Sequence, residues 1–120
     1  MIRKHHISFK NAFKGLFLVI RTQPNYKIHF FLSIFALFLS WILNVSYFEF
    51  LLIVFLIIIG LIIETVNTAI EFTTDAIDKK IRDDIKIAKD VSASAMLIFS
   101  IGALIIGIII FLPKIFNLFI

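Results

Sequence analysis

The chain has 120 residues, of which 61% are AVILMFWYC and 17% are charged, against roughly half and a quarter in soluble domains. A helix of about 20 apolar residues crosses a hydrocarbon core of about 30 Å, so three such spans would use roughly half the chain and leave little for a separate globular domain. Cysteine is absent, which excludes disulfides, a thiolate nucleophile and cysteine metal sites; the excess of 12 Lys and Arg over 8 Asp and Glu sits beside apolar runs, where it reports topology and anionic lipid rather than nucleic acid.

Residues 1–23 mix Arg3, Lys4, Lys10, Lys14 and Arg21 with Phe9, Phe13, Leu16, Phe17 and Ile20, whose steps of three and four mark one helical face. This predicts an amphipathic helix lying on a membrane surface, its basic flank at anionic headgroups and its Phe and Leu face in the interface. The segment is too long and too amphipathic for a signal peptide, so it is expected to be retained. Pro24 pushes Gln23 out of the α region, which predicts a connector around 22–26.

Three spans follow, over 28–45, 50–71 and 91–112. A short link over 46–49 carries no Lys or Arg, and a loop over 72–90 carries Lys79, Lys80, Arg82, Lys86 and Lys89 among five acidic residues. Lys and Arg number six before the first span, none in the link, five in the loop and one, Lys114, after the last span. Under the positive-inside rule the N-terminus and the loop are cytoplasmic, and the link and C-terminus are outside. The expectation is one multi-pass, all-α domain of the cell membrane covering 1–120.

The chemistry concentrates at the cytoplasmic end of the second span. At 100° per residue, Glu64, Asn67, Glu71, Asp75 and Asp78 fall within roughly 80° of one another. A carboxylate inserted near the bilayer centre costs about 2.5–3.5 kcal/mol, less near the interface, and marks a functional site by default. Such a stripe can be interhelical glue, but Ser, Thr or one Asn would do that more cheaply. A row of Glu, Asn, Glu and Asp reads instead as facing something positive, either basic side chains or a divalent cation with oxygen ligands. Three spans cannot enclose a polar site against lipid, so another subunit is expected to cover it.

Lys89-Asp90 stands at the foot of the third span, before the small residues Ser92, Ala93, Ser94 and Ala95. By position alone this pair is ordinary snorkelling. No phosphate-binding glycine loop, dinucleotide fingerprint or His-Glu-x-x-His motif is present. If phosphate is handled, metal-bridging carboxylates and a lysine must do it.

Glu64-x-x-Asn67-Thr68-Ala69-Ile70-Glu71-x-x-x-Asp75, followed by Ala88-Lys89-Asp90 before a small-residue-rich span, resembles the prokaryotic diacylglycerol kinase family. Ser8 to Gly15, Asn25-Tyr26-Lys27-Ile28-His29 and Phe111-Leu112-Pro113-Lys114 are similar to the branch of that family that phosphorylates undecaprenol. The resemblance implies a homotrimer of three-span subunits, each with a surface helix, and active sites between subunits. It implies transfer of the ATP γ-phosphate, with Mg²⁺, to a membrane lipid alcohol. It also implies Glu64 as general base, Asn67 as its polar partner, Glu71 as the metal-bridging and nucleotide-contacting carboxylate, and Lys89 and Asp90 as nucleotide contacts. Gln23 falls where the family places a second metal-binding glutamate; an amide oxygen ligates Mg²⁺ but adds no charge.

Depth separates the roles. Glu64 lies deepest, where a lipid hydroxyl can reach it, while Glu71 and Asp75 lie where Mg²⁺-ATP can be held and Lys89 can meet phosphate. Undecaprenol is the expected acceptor, with diacylglycerol the alternative. A non-enzymatic membrane assembly protein and a cation carrier using Glu64 and Glu71 are the readings from other classes; polarity that stops at the cytoplasmic boundary speaks against a carrier.

Overall fold

The computed structural model describes residues 2–120, with side chains from Lys4 onward; Met1 and the side chains of Ile2 and Arg3 lie outside the described residues. Four helices follow one another: α1 (Ile2–Thr22), α2 (Pro24–Ile42), α3 (Tyr47–Ile77) and α4 (Asp83–Phe119). The last three are long and apolar enough to cross a membrane, so the chain is an all-helical, multi-pass membrane protein. α1 keeps Phe9, Phe13 and Phe17 exposed along one face and touches both α2 and α3.

α3 and α4 run past their apolar spans at both ends, while α2 starts before its span and stops short of its end, at Ile42. The connector expected over 22–26 shrinks to Gln23, because Pro24 opens α2 in the first-turn position where a missing N–H costs nothing. The link lies at 43–46 rather than 46–49: Asn44 takes a left-handed backbone with φ 51°, and Ser46 and Glu49 form a reciprocal capping box that starts α3 early. The loop expected over 72–90 contracts to 78–82. α3 continues to Ile77, its Thr73 and Thr74 hydroxyls bonded back to carbonyls of the preceding turn. α4 begins at Asp83, with Asp83 and Asp84 at its positive end where acidic side chains favour the helix dipole. Apolar periodicity marks where lipid begins, not where the helix ends.

α3 is the central element, packing on α4 along most of its length and on α2 over a shorter stretch. Its buried residues Ile53, Gly60, Glu64, Asn67 and Thr68 share one face, so the inward face is apolar at one end and polar at the other. The apolar end is closed by an ion pair from Lys114 Nζ to Glu49 Oε1 at 3.1 Å, which ties α4 to the first turn of α3.

Candidate active site

Glu64 is 2% exposed, and Asn67 and Thr68 beside it are also buried. The first turn of α2 covers them. The Asn25 amide faces the Glu64 carboxyl, and Tyr26 Oη lies 2.7 Å from Thr65 Oγ1. The Thr65 hydroxyl already donates to the Leu61 carbonyl, so Tyr26 is the donor of this cross-helix bond. Two consecutive residues of the turn that Pro24 opens are thereby fixed: Asn25 over the carboxyl, Tyr26 as the pin.

From Glu64 the stripe climbs two turns, about 10.5 Å of helix rise, to Glu71. Ser92 Oγ of α4 donates to Asn67 Oδ1 at 2.6 Å, and Asn67 Nδ2 donates in turn to Glu71 Oε1 at 3.5 Å. Asp75, one turn further, accepts from Lys89 Nζ at 2.6 Å. The remaining expected contacts lie outside this row. Asp90 is exposed and held by Lys86 at 2.8 Å. Asp78 pairs with Arg82 at 3.7 Å, and Arg82 also binds Asp84; the Asp84 carboxylate first, and Asp78 after it, push the guanidinium pKa above its ordinary value.

One expectation changes. The deep half of the stripe needs no second subunit to cover it, because α2 and α4 of the same chain bury Glu64 and Asn67, with the polar Asn25 and Ser92 facing the stripe. Glu71, Asp75 and Asp78 remain partly open. Gln23 stands at the N-cap of α2, which it caps through its backbone without a side-chain capping bond.

Among the described residues no three His, Asp or Glu side chains converge. A dedicated all-protein cage is therefore lacking, but Mg²⁺ is commonly held by one or two carboxylates with substrate phosphates and water completing its shell. A half-buried Glu71 carboxylate fits that mode.

A cavity of about 540 Å³ runs from the stripe into the apolar part of the bundle. α2 and α4 form its walls and α3 its floor. Asn25 and Glu64 line one end; beyond them the lining turns to Ile53, Ile57, Ile106 and Ile110. A single molecule with a polar head and a long apolar tail fits that gradient.

Residues 10–111 match the family model for prokaryotic diacylglycerol kinase. The chain belongs to that family. It is 38% identical over 108 residues to an undecaprenol kinase of Bacillus subtilis, covering 89% of this chain and 87% of the relative. It is 29% identical over 113 residues to a diacylglycerol kinase of Synechocystis, covering 93% of this chain and 65% of the relative. This diacylglycerol kinase family member is accordingly a lipid kinase, which bears out the resemblance read from the Glu64–Asp90 motif and sets aside the assembly and carrier readings. Phosphoryl transfer from ATP, ordinarily with a divalent metal, goes with that family.

In this kinase the helical spacing of α3 marks the carboxylates but not their neighbours. Asn25, His29 and Ser33 recur every four residues in α2, a polar line through an otherwise apolar span that mirrors the stripe in α3. That spacing is the signal the sequence carries for them. Ser92 stands out in the sequence only as a small residue, and nothing in the pattern marks Phe99 or Gly60, whose importance depends on how the helices meet.

Proposed function

We propose that this chain phosphorylates undecaprenol, giving undecaprenyl phosphate. The observation that carries the reading is the location of Glu64, a buried carboxyl where an apolar groove meets the polar stripe. An alcohol whose tail occupies the groove brings its hydroxyl to that carboxyl. The relative named undecaprenol kinase, similar over most of both chains, supports a polyprenol over the glycerolipid in the other relative's name.

Glu64 takes the proton of the lipid hydroxyl as that oxygen bonds to the γ-phosphorus of ATP, while the bond from phosphorus to the β,γ-bridging oxygen breaks and ADP leaves. Asn25 and Asn67 hold the carboxyl and its neighbour in place. Glu71 is the residue that would hold Mg²⁺, which when bound neutralises charge on the phosphates. Lys89 turns from Asp75 toward the phosphates when nucleotide enters, and Asp75 and Asp90 border the nucleotide. Phosphoryl transfer depends on positioning and charge neutralisation more than on covalent chemistry, and these residues supply both.

The same reading makes the chain one kinase domain with its N-terminus and the 78–82 turn in the cytoplasm and its C-terminus outside, since the five Lys and Arg of the α3–α4 junction lie at the Glu64 end. It assembles as a homotrimer, in which neighbours cover the partly open Glu71 and Asp75. Chemical crosslinking in membranes is expected to return trimers, and monomer alone would refute the assembly. Radiolabelled ATP with Mg²⁺, undecaprenol and diacylglycerol side by side tests the activity. Label should pass chiefly to undecaprenol; a preference for diacylglycerol overturns the acceptor, and label in no lipid overturns the catalytic reading.

A further inference from the structure

A pair of rings from opposite walls lines the groove beside Glu64. His29 of α2 and Phe99 of α4 form a bar, with centroids 6.2 Å apart and planes inclined by 34°. They sit directly on Gly60 of α3. A Cβ at that position would lie 2.6 Å from Phe99 Cζ, closer than real side chains sustain, and 3.2 Å from His29 Cε1, which is tight. Glycine lets the rings settle low against the floor.

The register of all three helices puts this bar between two compartments. Asn25 lies one turn before His29, Glu64 one turn after Gly60, and Met96 just before Phe99, so these line the polar side. Leu32, Ala36, Ile57 and Ile106 line the other, which is apolar. An acceptor whose hydroxyl reaches Glu64 and whose tail occupies the apolar compartment must thread past the bar.

We infer that the His29–Phe99 pair, seated on Gly60, gauges how many chains the acceptor carries, admitting one and rejecting two side by side. The inference rests on the acceptor reading above and deepens it. A polyprenol has a single chain leading from its hydroxyl. A diacylglycerol has two, branching within a few bonds of the reactive oxygen, and both would have to pass the bar together. Selection follows from width at one place in the groove, without any group that reads the chemistry of the tail.

Monooleoylglycerol and dioleoylglycerol share a headgroup and differ in chain number, so they probe the gauge directly. With the full chain in bilayers, Phe99→Ala should raise kcat/KM for dioleoylglycerol relative to monooleoylglycerol about tenfold, the size expected when a steric block in an apolar pocket is relieved. Phe99→Leu, which retains more packing, should give a smaller change in the same direction. Gly60→Ala drives the Phe99 ring into the groove and should raise KM for every lipid acceptor while leaving KM for ATP unchanged. A ratio in Phe99→Ala and Phe99→Leu equal to that of the parent overturns the gauge, even where the parent prefers undecaprenol. A parent that prefers diacylglycerol instead overturns the acceptor reading beneath it. Because the chain has no cysteine, Ala36→Cys reports occupancy of the far compartment. Protection from a thiol reagent should rise with added undecaprenol; protection that ignores lipid and rises with protein density would mean a second copy fills the groove, and would overturn the inference.

Discussion

Ser92 and Asn67 join α4 to α3 by a bond of 2.6 Å between two buried side chains. A helical serine ordinarily bonds back to the carbonyl of its own preceding turn, as Ser40 and Ser100 do here. Ser92 instead donates across the interface, and its choice of Oδ1 leaves the Asn67 amide nitrogen aimed at Glu71.

Ser92→Ala should therefore do more than empty a small space. It orphans a buried acceptor, which costs about 1–3 kcal/mol, and frees the amide to rotate its oxygen toward a carboxylate. Thermal unfolding in detergent should register the loss, and the Mg²⁺ concentration for half-maximal activity should rise. Ser92→Thr keeps the hydroxyl and should restore the metal response; a Mg²⁺ response in Ser92→Ala equal to the parent's would limit Ser92 to packing.

Glu64→Gln preserves shape and removes the proton acceptor. Loss of general-base assistance typically lowers turnover by about 10²–10⁴. The Gln side chain can still face Asn25 and remain buried, so nucleotide binding, read by equilibrium binding of a fluorescent ATP analogue, should stay near the parental level. Lipid phosphorylation at the parental rate would remove Glu64 from the chemistry.

How much of this was legible in the sequence depends on the kind of contact. Glu64, Asn67 and Glu71 share a face because they share a helix, and angle arithmetic alone brings them together. Lys89 and Asp75 lie on different helices, and only the turn at 78–82 sets the register that joins them at 2.6 Å. A loop over 72–90 would have left that register undefined; two helices separated by five residues fix it. The same limit hid the cover over Glu64. Asn25 and Ser92 are unremarkable within their own helices, and their roles arise from which turn of α3 each one meets.

The Asp75–Lys89 pair is partly exposed, and pairs of that kind contribute about 0–1 kcal/mol to stability. Its position beside Glu71 matters more. Lys89→Met should raise KM for ATP about tenfold, equivalent to about 1.4 kcal/mol of lost binding, with little change in unfolding temperature. Exchanging the partners in Asp75→Lys/Lys89→Asp rebuilds the ion pair in reverse. If the lysine serves nucleotide, the exchanged protein folds but keeps a high KM for ATP; recovery of the parental KM would mean that the pair only braces α3 against α4.

Thr68 offers the opposite case, a buried hydroxyl whose Oγ1 has no hydrogen-bond partner among the described residues. It sits one turn after Glu64 on the same face of α3, nearly inaccessible at 1% exposure. Other threonines of this helix, Thr65, Thr73 and Thr74, satisfy themselves on carbonyls of the preceding turn. Replacing an unsatisfied buried polar group by an apolar one of the same shape is nearly neutral or stabilising, so Thr68→Val should hold or raise the unfolding temperature. Activity then discriminates two uses of the hydroxyl. Unchanged kcat and KM would make Thr68 a filler of the α3 face, whereas a fall in kcat without loss of stability would show that the hydroxyl finds its partner only when substrate is bound next to Glu64.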